Sequence, residues 1–187
     1  MKKIKKPTLR DRLPGDPTKE QLIERFIRVD QAGEYGAVRI YEGQLRVLGA
    51  TATAPVIRRI AEQEQQHLET FNDLIGKRRA RPTALLPIWH LAGFALGAGT
   101  ALLGKRAAMA CTVAVEEVIE EHYAGQIEQL DAGEEELKEI CETFRSHEAE
   151  HRDIGLEHGA RQAPGYQLLT TAVKTGSRLA IWLSERI

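Results

Sequence analysis

The chain writes one pattern twice. Glu34 precedes Tyr41, Gly43, Gln44 and Leu45, and Glu116 precedes Tyr123, Gly125, Gln126 and Ile127, with identical offsets of 7, 9, 10 and 11 residues. Further along each copy stands an E-x-x-H: Glu64-Gln-Gln-His67 in the first, Glu148-Ala-Glu-His151 in the second. Any fold must therefore place two equivalent units. The seven prolines, at positions 7, 14, 17, 55, 82, 87 and 164, say what those units are, because they leave long intervals in which a helix runs uninterrupted. A first helix is expected from about Lys19 to Leu48, with Thr18 as N-cap and Gly49 at its end. A second begins near Pro55 and ends around Gly76, a third covers roughly Lys105–Leu130, a fourth follows the turn DAGEEE to about His158, and a fifth runs from Pro164 to the C-terminus. Each unit is a helical hairpin with a lone Glu on its first helix and an E-x-x-H on its second.

The spacing brings these residues together. Glu34 and Glu64 lie 16 and 14 residues from a turn centred near residue 50, and Glu116 and Glu148 each lie 16 residues from residue 132. At about 1.5 Å per residue, an antiparallel hairpin sets each pair at one level, roughly 21–24 Å from its turn. Within each E-x-x-H the i,i+3 spacing turns Glu and His to one face. Two hairpins packed face to face converge four carboxylates and two imidazoles in the centre of a four-helix bundle.

Four carboxylates cannot be buried together as bare anions, because desolvation and mutual repulsion would raise their pKa values or unfold the site. Two divalent metals, each with one His nitrogen and shared carboxylate oxygens, offset that charge, and this is the donor set of di-iron and di-manganese carboxylate bundles. His147-Glu148-Ala-Glu-His151 also fits the zinc-protease pattern H-E-x-x-H. The repeat, however, puts Gln63 opposite His147 while matching Glu148 and His151 with Glu64 and His67, so it keeps the two-metal donors and drops the zinc-protease one. His122 and Tyr123, six and seven residues beyond Glu116, with Tyr41 as the counterpart of Tyr123, are candidates for hydrogen-bond or proton-transfer groups behind the ligands.

Composition narrows the class. With 21 Glu against 6 Asp and only 10 aromatics, helix formers dominate and an all-α fold is expected. The 26 Lys+Arg against 27 Asp+Glu leave a net charge of −1, which argues against a nucleic-acid partner. Cys111 and Cys141 are too few and too far apart for a disulfide framework or a CxxC zinc site and read as buried thiols. Residues 1–18, with six Lys and Arg and three prolines, read as a basic mobile arm, and residues 19–187 as one domain. Residues 82–104 contain no charged side chain and sit between KRRAR and KR. Pro87 and Gly93, Gly97, Gly99 and Gly104 would weaken or break a single helix there, which predicts a bent or re-entrant path entering one leaflet without crossing it. A single span would put the two hairpins on opposite sides of a membrane, where Glu64 and Glu148 could never share a metal.

Through RVDQAGEYGAVRIYEGQ, EQEQQHL, RPTALLPIWHLAGFALGAGTALLGK, AMACTVAVEE, HEAEHRDIGLEHGA and LAIWLSERI, the chain resembles the demethoxyubiquinone hydroxylase family over about residues 25–187. The resemblance implies a ferritin-like di-iron bundle that hydroxylates the ring of a polyprenyl demethoxybenzoquinol in ubiquinone biosynthesis, with O₂ as co-substrate and NADH as electron source. Carried over, the ligands of two irons per chain are Glu34, Glu64, His67, Glu116, Glu148 and His151, with Glu117 as the alternative at the fourth position. The implied partners are the quinol, the membrane surface and a lipid-binding or other ubiquinone-biosynthesis protein. The long presequence of mitochondrial members does not precede these motifs, so a bacterial protein is expected, peripheral on the cytoplasmic side of the inner membrane. Two other classes stand beside this one: an iron store, which would not need the apolar segment, and a lipid-binding bundle, which would not need six converging ligands.

Overall fold

The computed structural model describes residues 15–131 and 133–187, so positions 1–14 of the expected basic arm lie outside the described residues. Six α-helices and one 3₁₀ turn account for the regular structure, and no strand occurs among the described residues. They are α1 (Lys19–Leu48), α2 (Ala54–Arg78), α3 (Leu86–Leu102), α4 (Lys105–Ile127), α5 (Glu135–Glu157) and α6 (Tyr166–Ser184). α1 and α2 form the first hairpin, α4 and α5 the second, and together they make the four-helix bundle.

Local signals set most helix ends. Thr18 caps α1 in a reciprocal box, its Oγ1 accepting from the Gln21 amide at 3.2 Å while its own amide donates to Gln21 Oε1 at 2.8 Å. Pro55 sits in the first turn of α2, where its missing N–H costs nothing. That helix ends at Arg78, two residues beyond the expected stop near Gly76, and Arg79 caps it in the left-handed region at φ 53°. α4 starts after Gly104, whose φ of 105° suits only glycine well.

The apolar crossover departs from expectation. It is one 17-residue helix, α3, with Pro87 in its first turn rather than in its interior. Of the four glycines expected to weaken or break a helix, Gly104 does interrupt it, between α3 and α4, and Gly99 meets nothing within 4 Å, whereas Gly93 and Gly97 face α1. A Cβ on Gly97 would stand 1.9 Å from the Ile40 carbonyl oxygen, one on Gly93 2.8 Å from that of Gly36, and one on Gly43 of α1 2.3 Å from that of Phe94. Glycine here permits backbone-to-backbone packing of two helices, a gain in contact that outweighs its propensity cost of about 1 kcal/mol per residue. Among the described residues no helix is long and apolar enough to cross a membrane. α6 lies against α4 and α1 and is tied to α3 by the Trp89 indole N–H donating to Ser184 Oγ at 3.0 Å.

Two apolar layers bracket the middle of the bundle. Leu22, Phe26, Ile27, Phe71, Leu74, Leu137 and Cys141 fill one end, and Leu48, Ile57, Ile60, Met109 and Val113 the other. Both cysteines are buried free thiols, as expected. The level between these layers is polar.

Candidate metal centre

The six predicted ligands meet at that level, and none is more than 1% exposed. Glu34, Glu64, His67 and Glu148 form one group whose candidate ligand atoms all lie within 4.8 Å of one another, and Glu64, Glu116, Glu148 and His151 form a second by the same measure. Glu64 and Glu148 belong to both. The arrangement offers two cation positions, each with one private carboxylate and one imidazole, joined by two shared carboxylates. Glu117 is elsewhere: half-buried, it pairs with Lys174 of α6, so Glu116 is the residue that faces inward.

Both histidines turn Nδ1 to the centre. His67 Nδ1 is 3.2 Å from Glu148 Oε1 and 3.5 Å from Glu34 Oε2, and His151 Nδ1 is 2.9 Å from Glu64 Oε1. Their outward nitrogens are held from behind. His151 Nε2 is 3.0 Å from Gln63 Oε1, and His67 Nε2 is 3.0 Å from His147 Nδ1. Gln63 and His147 are the two residues that the repeat sets opposite each other, so each half steadies the histidine of the other half. This also disposes of the zinc-protease pattern, because His147 faces His67 and stands outside both ligand groups.

The tyrosines cross in the same manner. Tyr41 of the first repeat donates to Glu116 of the second, and Tyr123 of the second donates to Glu34 of the first. Burial and the adjacent carboxylate hold both phenols well above their ordinary pKa, hence protonated donors. His122 does not join the carboxylates; its Nε2 lies 3.1 Å from Asp30 Oδ1 and 2.9 Å from Gln126 Nε2. Asp30 was absent from the sequence reading, although it stands one turn before Glu34 on the same helix. Gln44 and Gln126, visible in the repeat but given no role, each donate to the facing helix of the bundle, Gln44 to the Ala108 carbonyl and Gln126 to Asp30 Oδ1.

Electrostatics test whether a metal belongs here. Burial, with the neighbouring carboxylates adding to it, pushes Glu64 and Glu116 well above the usual carboxylate range. For Glu148 burial acts upward, but the imidazoles of His151 and His67 outweigh it and hold the group at about 2. For His67 burial acts downward, yet Glu148, Glu34 and Glu64 lift it to about 10. His151 is raised by the same opposition. Protons thus take the place of cations. The fit is also geometric, since Glu34 Oε2, both Glu64 oxygens, Glu116 Oε2, Glu148 Oε1 and His67 Nδ1 are buried without a hydrogen-bond partner. Six orphaned donor atoms around two points are what a pair of divalent cations would satisfy.

Cation binding must therefore displace the proton of His67, and the raised pKa values of His151, Glu64 and Glu116 act in the same direction. Anaerobic titration with Fe(II) in weakly buffered solution is expected to acidify the medium. Because His67, at about 10, stays protonated between about pH 6 and 8 in metal-free protein, apparent affinity rises with pH, by about tenfold per unit for each proton displaced. Binding that is independent of pH across that window would contradict this charge balance.

A cavity of about 340 Å³ lies between α1, α3, α4 and α6 and reaches Glu34 and Tyr123. Ile40, Leu96, Val115, Ile119, Val173 and Ile181 dominate its walls, with Asp30 and His122 among the few polar groups.

Comparison with known proteins gives a consistent set. The family described as ubiquinone biosynthesis protein COQ7 matches residues 21–184. The 3-demethoxyubiquinol 3-hydroxylase of Rhodospirillum rubrum is 60% identical over 181 residues, covering 96% of this chain and 85% of that protein. The human mitochondrial NADPH-dependent 3-demethoxyubiquinone 3-hydroxylase is 54% identical, covering 88% and 78%. The mitochondrial 5-demethoxyubiquinone hydroxylase of Saccharomyces cerevisiae is 45% identical, with the same two coverages of 88% and 78%.

Proposed function

The chain belongs to the ubiquinone biosynthesis protein COQ7 family, and from that membership we propose that it hydroxylates the ring of a polyprenyl demethoxybenzoquinol, using O₂. One oxygen atom enters a ring C–H bond and the other leaves as water, with two electrons and two protons supplied from outside. The electron source is a reduced nicotinamide nucleotide, NADH or NADPH; the human relative's name specifies NADPH. The observation that carries this reading is the adjacency of two features. A buried pair of carboxylate–histidine groups abuts an apolar cavity large enough for a quinol ring; Glu34 belongs to both, and Tyr123, which donates to it, lines the cavity.

In this reading Glu34 and His67 hold one iron, Glu116 and His151 the other, and Glu64 and Glu148 lie between the two. When bound, two ferrous ions supply the reducing, oxygen-activating chemistry that no side chain of the protein possesses. The chain's own contribution is preorganisation. Tyr41 and Tyr123 hold Glu116 and Glu34 in place, Gln63 and His147 fix the imidazole planes, and the apolar walls keep water from competing for the reacting ring. An iron store fits less well, because storage has no use for an apolar chamber beside the cluster.

The route for so apolar a substrate is a membrane surface. Leu91 and Leu102 of α3, Leu103 just after it, and Leu168, Leu179 and Trp182 of α6 are each at least half exposed, on the two helices that also wall the cavity. We place this face in one leaflet, as the cytoplasmic face of a bacterial inner membrane would require, with the polyprenyl tail left in lipid. Turnover of liposome-embedded demethoxyquinol under ¹⁸O₂ tests both parts together. The product should carry one ¹⁸O in its new hydroxyl, and a variant with Leu91→Glu and Leu168→Glu should lose liposome co-sedimentation. A hydroxyl derived from water would exclude the monooxygenase reading, and undiminished co-sedimentation the proposed membrane face.

A further inference from the structure

The metal ligands, the tyrosines and the supporting glutamines are all duplicated, as a centre with two equivalent metals demands. A carboxylate–imidazole pair beside them is not. Asp30 has Thr112 as its repeat counterpart, and His122 has Ile40. Thr112 does receive its glutamine, with Gln44 Nε2 3.4 Å from its Oγ1, just as Gln126 Nε2 donates to Asp30 Oδ1 at 2.7 Å. What the first set of positions has and the second lacks is a carboxylate and an imidazole paired across two helices. Both members of that pair line the apolar cavity. A group that occurs once beside a two-fold centre serves a ligand that itself occurs once.

The pair is also incomplete. Asp30 is 3% exposed. Its Oδ1 receives Gln126 and faces the His122 ring nitrogen, whereas its Oδ2 is buried and has no hydrogen-bond partner among the described residues. Burial raises the Asp30 pKa against the opposing pull of His122 and Gln126, both of which act on Oδ1, so Oδ1 is the engaged oxygen and Oδ2 the open one. A buried carboxylate oxygen left open costs more than a satisfied one, and a purely structural ion pair would have closed it. Of the other polar side chains lining the cavity, Tyr123 donates to Glu34 Oε1, Glu34 Oε2 faces His67 Nδ1 within the carboxylate cluster at 3.5 Å, Trp89 donates to Ser184, and Ser177 is uncharged. Asp30 and Glu34 are one turn apart, about 6 Å along α1, so a small ring bound at Asp30 lies beside the carboxylate cluster.

Resting on the hydroxylase reading, we propose that Asp30 Oδ2 accepts a hydrogen bond from a ring hydroxyl of the substrate, and that His122 is a positioning residue that holds Asp30 for it. An open carboxylate oxygen that accepts here favours a ring bearing O–H and disfavours one that presents only ether or carbonyl oxygens. The cavity thereby selects the hydroquinone form.

The test compares two reduced probes on the ferrous protein under anaerobic conditions, a single-prenyl demethoxyhydroquinone and its dimethyl ether, by quenching of Trp89 fluorescence. Wild type should bind the hydroquinone about tenfold more tightly, the effect of one hydrogen bond to a buried acceptor that is otherwise left unpaired. Asp30→Leu should shrink that ratio at least fivefold with ether binding retained, and His122→Phe should shrink it by a smaller factor. Asp30→Asn, nearly isosteric, keeps the measurement available if the Leu variant does not fold, and is expected to fall between. A ratio unchanged in the Asp30 variants would overturn the assignment and leave the hydroxylase reading standing. Wild type that binds neither probe would overturn both.

Discussion

Replacing Glu64 or Glu148 is expected to remove turnover, and the loss should come with an unusual gain. Each carboxylate belongs to both ligand groups, so either change damages both cation positions at once. Iron content should fall from about two per chain to well below one. Turnover should drop by roughly a thousandfold or more, since a metal contributes several kcal/mol of transition-state stabilisation and each 1.36 kcal/mol is tenfold. Stability of the metal-free protein should move the other way for Glu64→Gln. Burial and neighbouring carboxylates raise the folded-state pKa of Glu64 well above its unfolded value. Such a group subtracts stability progressively as pH climbs from about 4.5 toward its folded pKa, because the unfolded chain ionises first. A neutral isostere removes that penalty. Metal-free Glu64→Gln is thus expected to melt at or above the temperature of metal-free wild type at pH 7, with the advantage shrinking toward pH 4. Iron counting, turnover and thermal melts read the three effects separately. Full activity in either variant, or a stoichiometric single zinc in wild type, would sink the two-iron assignment.

The second large effect lies away from the chemistry. Gly97→Ala adds one methyl where the Ile40 carbonyl oxygen already stands 1.9 Å from the ideal Cβ position, and its neighbours there are backbone atoms of α1 that cannot rotate aside. The helices must separate. Overpacking of this kind costs about 1–3 kcal/mol and occasionally more, and each kcal/mol lowers the melting temperature of a domain this size by about 2–4 °C. A fall of roughly 2–12 °C is expected. The control is Gly99→Ala on the same helix, where nothing lies within 4 Å. There the higher helix propensity of alanine should leave stability unchanged or raise it by up to about 1 kcal/mol. Equal melting temperatures for the two variants would mean that α3 is not seated on α1 as described.

Much of the site was readable in one dimension because a metal centre made from helices obeys helical arithmetic. The 3.6-residue period puts Glu64 beside His67 and Glu148 beside His151, hairpin length sets Glu34 and Glu116 at the same level, and duplication marks the set as functional. The roles of Gln63, His147 and Asp30 were not readable. Each acts on a residue of the other hairpin, and no spacing along a chain reports which side chains meet across a bundle axis. The tyrosines show the same limit from the other side. Their identity stood out in the repeat, but that Tyr41 serves Glu116 and Tyr123 serves Glu34 required the two hairpins to be packed together.

By itself, then, the sequence determined an all-helical pair of hairpins, the level at which six ligands converge, and the need for cations to offset their buried charge. These follow from helix geometry and the cost of desolvating carboxylates, both local properties. Tertiary structure alone decided between Glu116 and Glu117, since one faces the bundle axis and the other meets Lys174. It also decided that Gly93 and Gly97 bring two backbones together rather than break a helix, because a missing Cβ reads as flexibility until a neighbouring helix occupies the space. And it decided that Asp30 and His122, 92 residues apart, meet as a carboxylate–imidazole pair in the wall of an apolar chamber. Long-range packing places those groups, and the physics that makes the pair matter, a buried carboxylate with one oxygen unpaired, exists only once the chain has closed around it.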